Sequence, residues 1–459
     1  MSSDAPSLKQ ELYAKRETIH PRTVTGLFAR LRVTAVLVLL GLYYFLPWIQ
    51  WDDRQAILFD LPARKFYIFD LVLWPQDFIY LSGLLIVAAL SLFFFTAVAG
   101  RLWCGYACPQ TVWTEAFMWI ERKIEGDRNQ RIKLDKGPLT RRKIWTKSLK
   151  HGIWILFSLW TGYTFVGYFT PIIELGSKLL ALSTGPWETF WVFFYGFATY
   201  GNAGWMREQV CIYMCPYARF QSAMFDRNTL VISYDNERGE PRGHRKRKAD
   251  PKELGLGSCV DCKLCVQVCP TGIDIREGLQ YQCIGCAACV DVCDQVMEKL
   301  DYPKGLVRYT TENAMEHGET KLFRPRVILY ALLLLVITAL LIVGLANRSP
   351  VGIDIIRDRN VLYRVTDEGL VENIYNLKIL NKQEHDHEYR VEVSGIDGLQ
   401  LRMDQLAVVK AGEVTELSAG VVIDPVLLKK SSADIIFTVT ALDDDSITSH
   451  SEARFIKPR

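Results

Sequence analysis

The chain has 459 residues, 49% of them hydrophobic and 23% charged. That apolar content excludes a disordered protein. With 54 Lys and Arg against 51 Asp and Glu, the net charge of +3 gives no reason to expect a nucleic-acid partner. Twelve cysteines in a chain this long do not make a disulfide-stapled miniprotein, and all twelve fall in four short clusters.

The first thirty or so residues are polar and charged, with no short apolar stretch ending in a small-residue cleavage site, so the start reads as retained rather than as a signal peptide. A bilayer-spanning helix needs ~20 mostly apolar residues, because lipid offers the backbone no hydrogen-bond partner. Five stretches meet or approach that requirement: 33–49, 78–100, 152–170, 187–205 and 327–346. The fourth, with YGFATYGNAGW, is polar for lipid and reads as lining a protein interior. Lys and Arg number 6 in residues 1–32, 3 in 50–77, 12 in 101–151, 1 in 171–186 and 18 in 206–326. By the positive-inside rule the rich segments face the cytoplasm, and five spans then put residues 347–459 on the other side. The expected organisation is a cytoplasmic segment 1–32, a four-helix membrane region 33–205, a cytoplasmic region 206–326, a fifth span 327–346 and an outer domain 347–459. The basic runs at 141–143 and 244–248 need no more than anionic lipid contact beside the membrane.

The chemistry sits in residues 250–300. Cys259, Cys262, Cys265 and Cys269 form C-x2-C-x2-C-x3-C followed by Pro270, and Cys283, Cys286, Cys289 and Cys293 repeat the spacing without the proline. In bacterial ferredoxins of this pattern a tight loop aims three thiolates into one cavity while the fourth serves the other cluster. Cys259, Cys262, Cys265 and Cys293 are therefore expected at one 4Fe–4S centre, and Cys283, Cys286, Cys289 and Cys269 at a second. Zinc is the main alternative, but its sites space their pairs further apart, and no histidine is interleaved here. Asp294 stands where a second proline is often found, and an acid beside a cluster lowers its potential. Paired clusters make a wire for single electrons.

The other four cysteines form an internal echo: Cys104 and Cys108 before Pro109, and Cys211 and Cys215 before Pro216, each a C-x3-C-P motif at the cytoplasmic end of an apolar stretch. On a helix, positions i and i+4 share a face, so both thiols of a pair could meet one ion, while the proline favours a break or a new helix start. Soft thiolates favour Cu(I), which makes Cu(II) easier to reduce. A copper site, a third iron–sulfur centre shared by the pairs, and thiols that only pack helices all fit the spacing. None of the seven histidines lies well inside a span, which excludes a membrane bis-histidine haem. His385 and His387 read as a solvated polar turn.

After residue 346, runs such as IYNLKIL, YRVEVSGI and ADIIFTVTAL alternate and are rich in β-branched residues, with DEG, DG and AG turns between them. Six or seven short strands fit a cysteine-free β-sandwich of immunoglobulin type with a docking role. The predicted fold class is thus an α-helical integral membrane protein with an inserted twin-cluster ferredoxin domain and a C-terminal β-sandwich.

The segments CGYACPQTVWTEAFMWIER, CIYMCPYARFQSAMFD, CIGCAACVDVCDQVM and NVLYRVTDEGLVENIYNLKILNK, in that order, resemble the FixG/CcoG/RdxA family of cytochrome c oxidase accessory proteins. The resemblance runs from about residue 30 onward. It implies a Gram-negative inner-membrane protein with a periplasmic immunoglobulin-like domain, which reduces Cu(II) to Cu(I) while a cbb-type oxidase matures. It further implies copper chemistry at Cys104, Cys108, Cys211 and Cys215, two 4Fe–4S clusters on the eight ferredoxin cysteines, and oxidase assembly factors with a copper transporter or chaperone as partners. The electron donor, a cytoplasmic protein or a quinol, is not implied. Two rivals stand beside this reading: a redox-signalling protein, and a quinol-linked polyferredoxin resembling NapH and NosR, against which the β-domain argues.

Overall fold

Among the described residues, three helices are long and apolar enough to cross a bilayer: Leu27–Trp48, Pro75–Ala99 and Pro325–Ala346, with mean hydropathies of 1.6, 2.4 and 3.0. The computed structural model describes residues 18–52, 54–246, 253–358, 361–383, 385–403, 406–428 and 431–457. Large apolar side chains such as Leu37, Phe45, Ile79 and Leu335 stand exposed along these helices, as they do when the surrounding medium is lipid. The second helix stops at Gly100 (φ +55), where a Cβ would stand 3.0 Å from the carbonyl oxygen of Leu230. The chain divides within the last helix into two units, Met1–Thr338 and Ala339–Arg459.

The third and fourth expected spans are helical but less apolar than these three. The third belongs to the helix Arg141–Val166, which opens on a basic triplet. The fourth is the helix Pro186–Thr199, which continues as a π-helical turn, Tyr200–Met206. The two pack closely: a Cβ at Gly162 would overlap the Val192 carbonyl oxygen. Small residues permit such contact between helices. Ser158, Thr161 and Thr164 each donate their hydroxyl to the carbonyl four residues back, so the polar face is satisfied within its own helix.

A feature without a sequence signal lies between the first two apolar helices. Strands Ile57–Asp60, Lys65–Ile68 and Leu71–Leu73 form a small antiparallel sheet. Buried Gln55 ties it down, donating to the carbonyls of Ile57 and Gly167 and accepting from the backbone N–H of Ile172.

The cysteine-rich region is closed by its own two ends, since Val231–Tyr234 pairs antiparallel with Val307–Thr310. Ile232, Tyr234, Ile275, Val290, Met297, Leu306 and Val307 form its core. It is fastened to the first apolar helix by Asp291, whose carboxylate accepts from the backbone N–H groups of Phe28 (3.2 Å) and Ala29 (2.7 Å). This caps orphan donors of helix Leu27–Phe45 with a favourable negative charge. At the membrane edge Glu121 is 3% exposed and faces Arg131 (3.1 Å), Lys150 (3.2 Å) and Arg207 (3.0 Å), joining three helices and the turn before the second C-x3-C-P motif.

The second unit is a two-sheet β-sandwich. One sheet orders its strands Gln400–Arg402, Val414–Ile423, Val371–Asn381 and Val351–Arg357, with Arg364–Val365 at the edge. The other runs Leu406–Val409, His387–Ser394, Ser432–Ala441 and Thr448–Ile456. Alternate residues point inward: Tyr375, Leu377 and Ile379 from one sheet meet Tyr389, Val391, Phe437 and Val439 from the other. His387 corrects the expectation of a solvated turn. It opens a strand, is buried beside Tyr389, and its Nδ1 lies 2.8 Å from a carboxylate oxygen of Asp443, whereas His385 stays exposed outside the strand.

Candidate metal centres

The two ferredoxin-type loops have the same backbone. Asp261 and Gly285, each just before the second cysteine of its loop, have φ +47 and +67; Lys263 and Ala287, each just after it, both have φ +56. Paired left-handed residues curl the chain so that the flanking thiols face one hollow, and a short helix then begins at Leu264 or Ala288. Left-handed non-glycine residues persist where the surroundings hold them. One hollow, of about 380 Å³, is lined by Cys259, Cys262, Cys265 and Cys293 together with Tyr234 and Met297. The other, about 330 Å³, is lined by Cys269, Cys283, Cys286 and Cys289, with Cys265 between the two.

The thiols in these hollows suit a bound cationic group. Burial pushes Cys265, Cys283 and Cys293 up to about 12 and raises Cys269 and Cys289 as well, so their thiolates need positive charge beside them. Among the described residues no three His, Cys, Asp or Glu side chains group closely enough to hold a metal ion. Thiols spread around a wider hollow fit a polynuclear iron–sulfur group better than single zinc.

Several residues around the hollows have no motif to announce them. Arg276, with 5% of its side chain exposed, lines the first hollow and pairs with Asp261 and Asp274, each at 2.6 Å. Arg32 donates to the Cys286 carbonyl (3.0 Å), Arg101 to that of Cys283 (3.4 Å), and the Tyr309 hydroxyl to that of Gly285. Arg32 and Arg101 look in sequence like ordinary positive charges beside apolar helices. Asp294 accepts from the Gly305 backbone N–H at 2.8 Å and so fixes a turn.

The C-x3-C-P pairs depart from the expected continuous helix face. Cys104 lies in the helical turn Leu102–Tyr106, but Cys108 is extended (φ −62, ψ 128) and precedes the helix Pro109–Glu125. Cys211 lies in a π-helical turn, Val210–Met214, and Cys215 is again extended (φ −78, ψ 110) before the helix Pro216–Met224. The reason is local: a following proline ring clashes with a helical residue, so each second cysteine is forced out while the proline starts a new helix. The two pairs nevertheless share one neighbourhood. Burial, with the neighbouring thiols Cys108, Cys104 and Cys215, raises Cys211 to about 12, and burial with Cys108 raises Cys104 to about 11. The Cys104 thiol also reaches Gln221 Oε1 at 3.4 Å. Cys211 and Cys286 both line one cavity of about 540 Å³, together with Gln110, Glu208 and Thr271.

Comparison with known proteins agrees with this architecture. Residues 206–312 match a family described as a 4Fe–4S dicluster domain, 81–126 one described as a 4Fe–4S binding domain, and 341–458 one described as an IG-like fold at the C-terminal of FixG. Protein RdxA of Cereibacter sphaeroides is 41% identical over 407 residues, 86% of each chain. The nitrogen fixation protein FixG of Rhizobium meliloti is 39% identical over 439 residues, 87% of this chain and 83% of that one. The ferredoxin-type protein NapH of Haemophilus influenzae is 23% identical over 42% of this chain and 56% of its own. With likeness of that depth along most of its length, joined to twin cysteine hollows, apolar helices and a terminal β-sandwich, the chain belongs to the FixG/RdxA family of membrane iron–sulfur electron-transfer proteins.

Proposed function

We propose that the protein is a cupric reductase, converting Cu(II) to Cu(I) at Cys104, Cys108, Cys211 and Cys215 for insertion into a cbb-type oxidase. The observation that carries this reading is the convergence of these four half-buried thiols on one neighbourhood, near enough for their charges to act on one another though not yet grouped as a closed metal site, with Cys104 and Cys211 beside the 283–289 loop. Cys259, Cys262, Cys265 and Cys293 would hold one 4Fe–4S cluster and Cys269, Cys283, Cys286 and Cys289 the other. When bound, the clusters supply one-electron carriers, which match the one-electron Cu(II)/Cu(I) step. The chain's own work is to bind and shield. Soft thiolates stabilise the Cu(I) product, and their partial burial limits the access of water.

The ferredoxin region and the segment before the first helix would face the cytoplasm, and the β-sandwich the periplasm. The alternation of basic residues supports this, and either three or five spans give the same sides to these parts. Oxidase assembly factors and a copper transporter or chaperone would be the partners. Likeness to NapH stops short of half the chain, whereas likeness to RdxA spans 86% of it and the β-sandwich matches a domain described from FixG, which favours the oxidase reading over a quinol-linked polyferredoxin.

The test is steady-state cupric reduction by anaerobically purified protein with a reduced donor. Many turnovers are expected, whereas at most stoichiometric transfer would mark a sensor. The double variant Cys104→Ala with Cys108→Ala is expected to lose Cu(I) binding and keep its iron–sulfur absorbance. A second reading, a third cluster between the pairs, is favoured by the 4Fe–4S match over 81–126, which includes both residues. Loss of iron in the double variant would select it.

A further inference from the structure

Gly105 directly follows Cys104 in the first C-x3-C-P motif. A Cβ placed there would stand 2.9 Å from the carbonyl oxygens of Ile284 and Gly285 and 3.0 Å from the Cα of Cys286. These are backbone atoms and cannot swing aside. The same loop also lies close to the turn just before Cys104, since a Cβ on Gly285 would meet the Arg101 carbonyl oxygen at 3.1 Å. The CGYAC segment and the CIGC loop therefore touch main chain to main chain, with a glycine on each side. Cys104 packs against Val268, Ile284, Cys286 and Ala288 in the same place. Arg32 and Arg101, both from outside the ferredoxin region, hold the loop's carbonyls from either side of this contact.

The 259–265 loop has other surroundings. The carbonyls of Ser258 and Cys259 accept from Arg245, within the ferredoxin region itself, and Cys262 is exposed. Loops of like backbone thus differ in what they face: one turns Cys262 to solvent, while the other packs Cys286 against Cys104.

We propose that the Gly105–Gly285 contact is the electron outlet of the ferredoxin region, so that the 283–289 loop, and not the 259–265 loop, serves the Cys104/Cys108 pair. Gly105 is a positioning residue whose missing side chain lets the two redox segments approach. The inference rests on the reading above that these thiols hold the electron acceptor. Each transfer moves one electron, oxidises the ferredoxin side by one equivalent and turns one Cu(II) into Cu(I). No covalent bond between the two segments forms or breaks.

The experiment uses the full-length protein, anaerobic and reduced with dithionite, mixed with one equivalent of Cu(II). Gly105→Ala is compared with Gly152→Ala, a site where a Cβ meets nothing within 4 Å. Reoxidation is expected to slow roughly 10- to 100-fold in Gly105→Ala, the scale on which misplacement by up to 1 Å costs rate. Iron content and the reduced paramagnetic signal should be retained, and Gly152→Ala should behave as wild type. In wild type reduced with dithionite, Co(II) bound in place of copper, a paramagnetic thiolate-binding ion that the clusters do not reduce, should speed the magnetic relaxation of the cluster lost in Cys286→Ser more than that of the cluster lost in Cys262→Ser. This measurement decides the matter even if Gly105→Ala fails to fold. Undiminished reoxidation in an iron-replete Gly105→Ala protein, or stronger relaxation at the cluster lost in Cys262→Ser, overturns the outlet while leaving copper reduction standing. A wild-type protein that binds no copper overturns the cupric-reductase reading, and the outlet to copper with it.

Discussion

The two ferredoxin-type loops are copies in conformation as well as in spacing, down to the left-handed residues flanking Cys262 and Cys286. The two C-x3-C-P segments share their spacing but not their backbone, one α-helical around Cys104 and the other π-helical around Cys211. A loop that must aim three thiols into one hollow leaves its seven residues little latitude. Two segments that come together from different helices can each adapt to its own neighbours. What they keep in common is the extended cysteine before proline, where the same steric clash acts on both.

If the loops are equivalent, Cys262→Ser and Cys286→Ser should each remove about half the iron, one cubane of two, as measured by metal analysis. Both should stop steady-state copper reduction, and Cys262→Ser should leave copper binding intact. A variant that keeps all its iron would break the equivalence.

The other half of the comparison, the convergence of two dissimilar segments, can be loosened at Glu121. Burial raises the Glu121 carboxyl, but Arg207, Lys150 and Arg131 outweigh it and bring it down to about 2. Its folded pKa therefore lies below the unfolded value of ~4.3, so its stabilisation is complete above that value and lost as pH falls toward 2. Glu121→Gln leaves three cations facing a neutral group and should cost about 3–5 kcal/mol. Chemical denaturation would show this cost at neutral pH and a smaller one near pH 2.

The smallest expected effect separates the two loops by their setting. Lys263→Gly removes left-handed strain at an exposed position and should gain up to about 1 kcal/mol, part of the relief being offset by the freedom of glycine in the unfolded chain. Ala287→Gly relieves the same strain but gives up a fully buried methyl, worth about 0.8 kcal/mol, and should gain nothing. Thermal midpoints of the iron-replete proteins would distinguish them.

Much of this was legible in the sequence for a physical reason. Cysteine spacing within a loop is a local code, and all-round apolarity over twenty residues has few meanings other than a bilayer. The alternating strands after residue 346 spoke equally plainly. Other features depend on residues far apart in the chain. Nothing near Gln55 signals that it binds the backbone of Gly167 and Ile172, and Arg32 gives no sign of holding the Cys286 carbonyl. The extended state of Cys108 was readable from its proline neighbour, but the i, i+4 pattern pointed to an unbroken helix face instead. In the third apolar stretch, Gly162 lowers hydropathy because it admits close contact with the next helix, and the Ser158, Thr161 and Thr164 hydroxyls lower it while bonding carbonyls of their own helix.

Asp291 caps the first apolar helix from a position 262 residues further along the chain than Ala29. During synthesis that helix is finished long before its cap exists, so its leading amide groups wait on water or lipid headgroups until the ferredoxin region has been made. The capping carboxylate lies between Cys289 and Cys293, so whatever orders that stretch of chain also fixes the leading end of the first apolar helix.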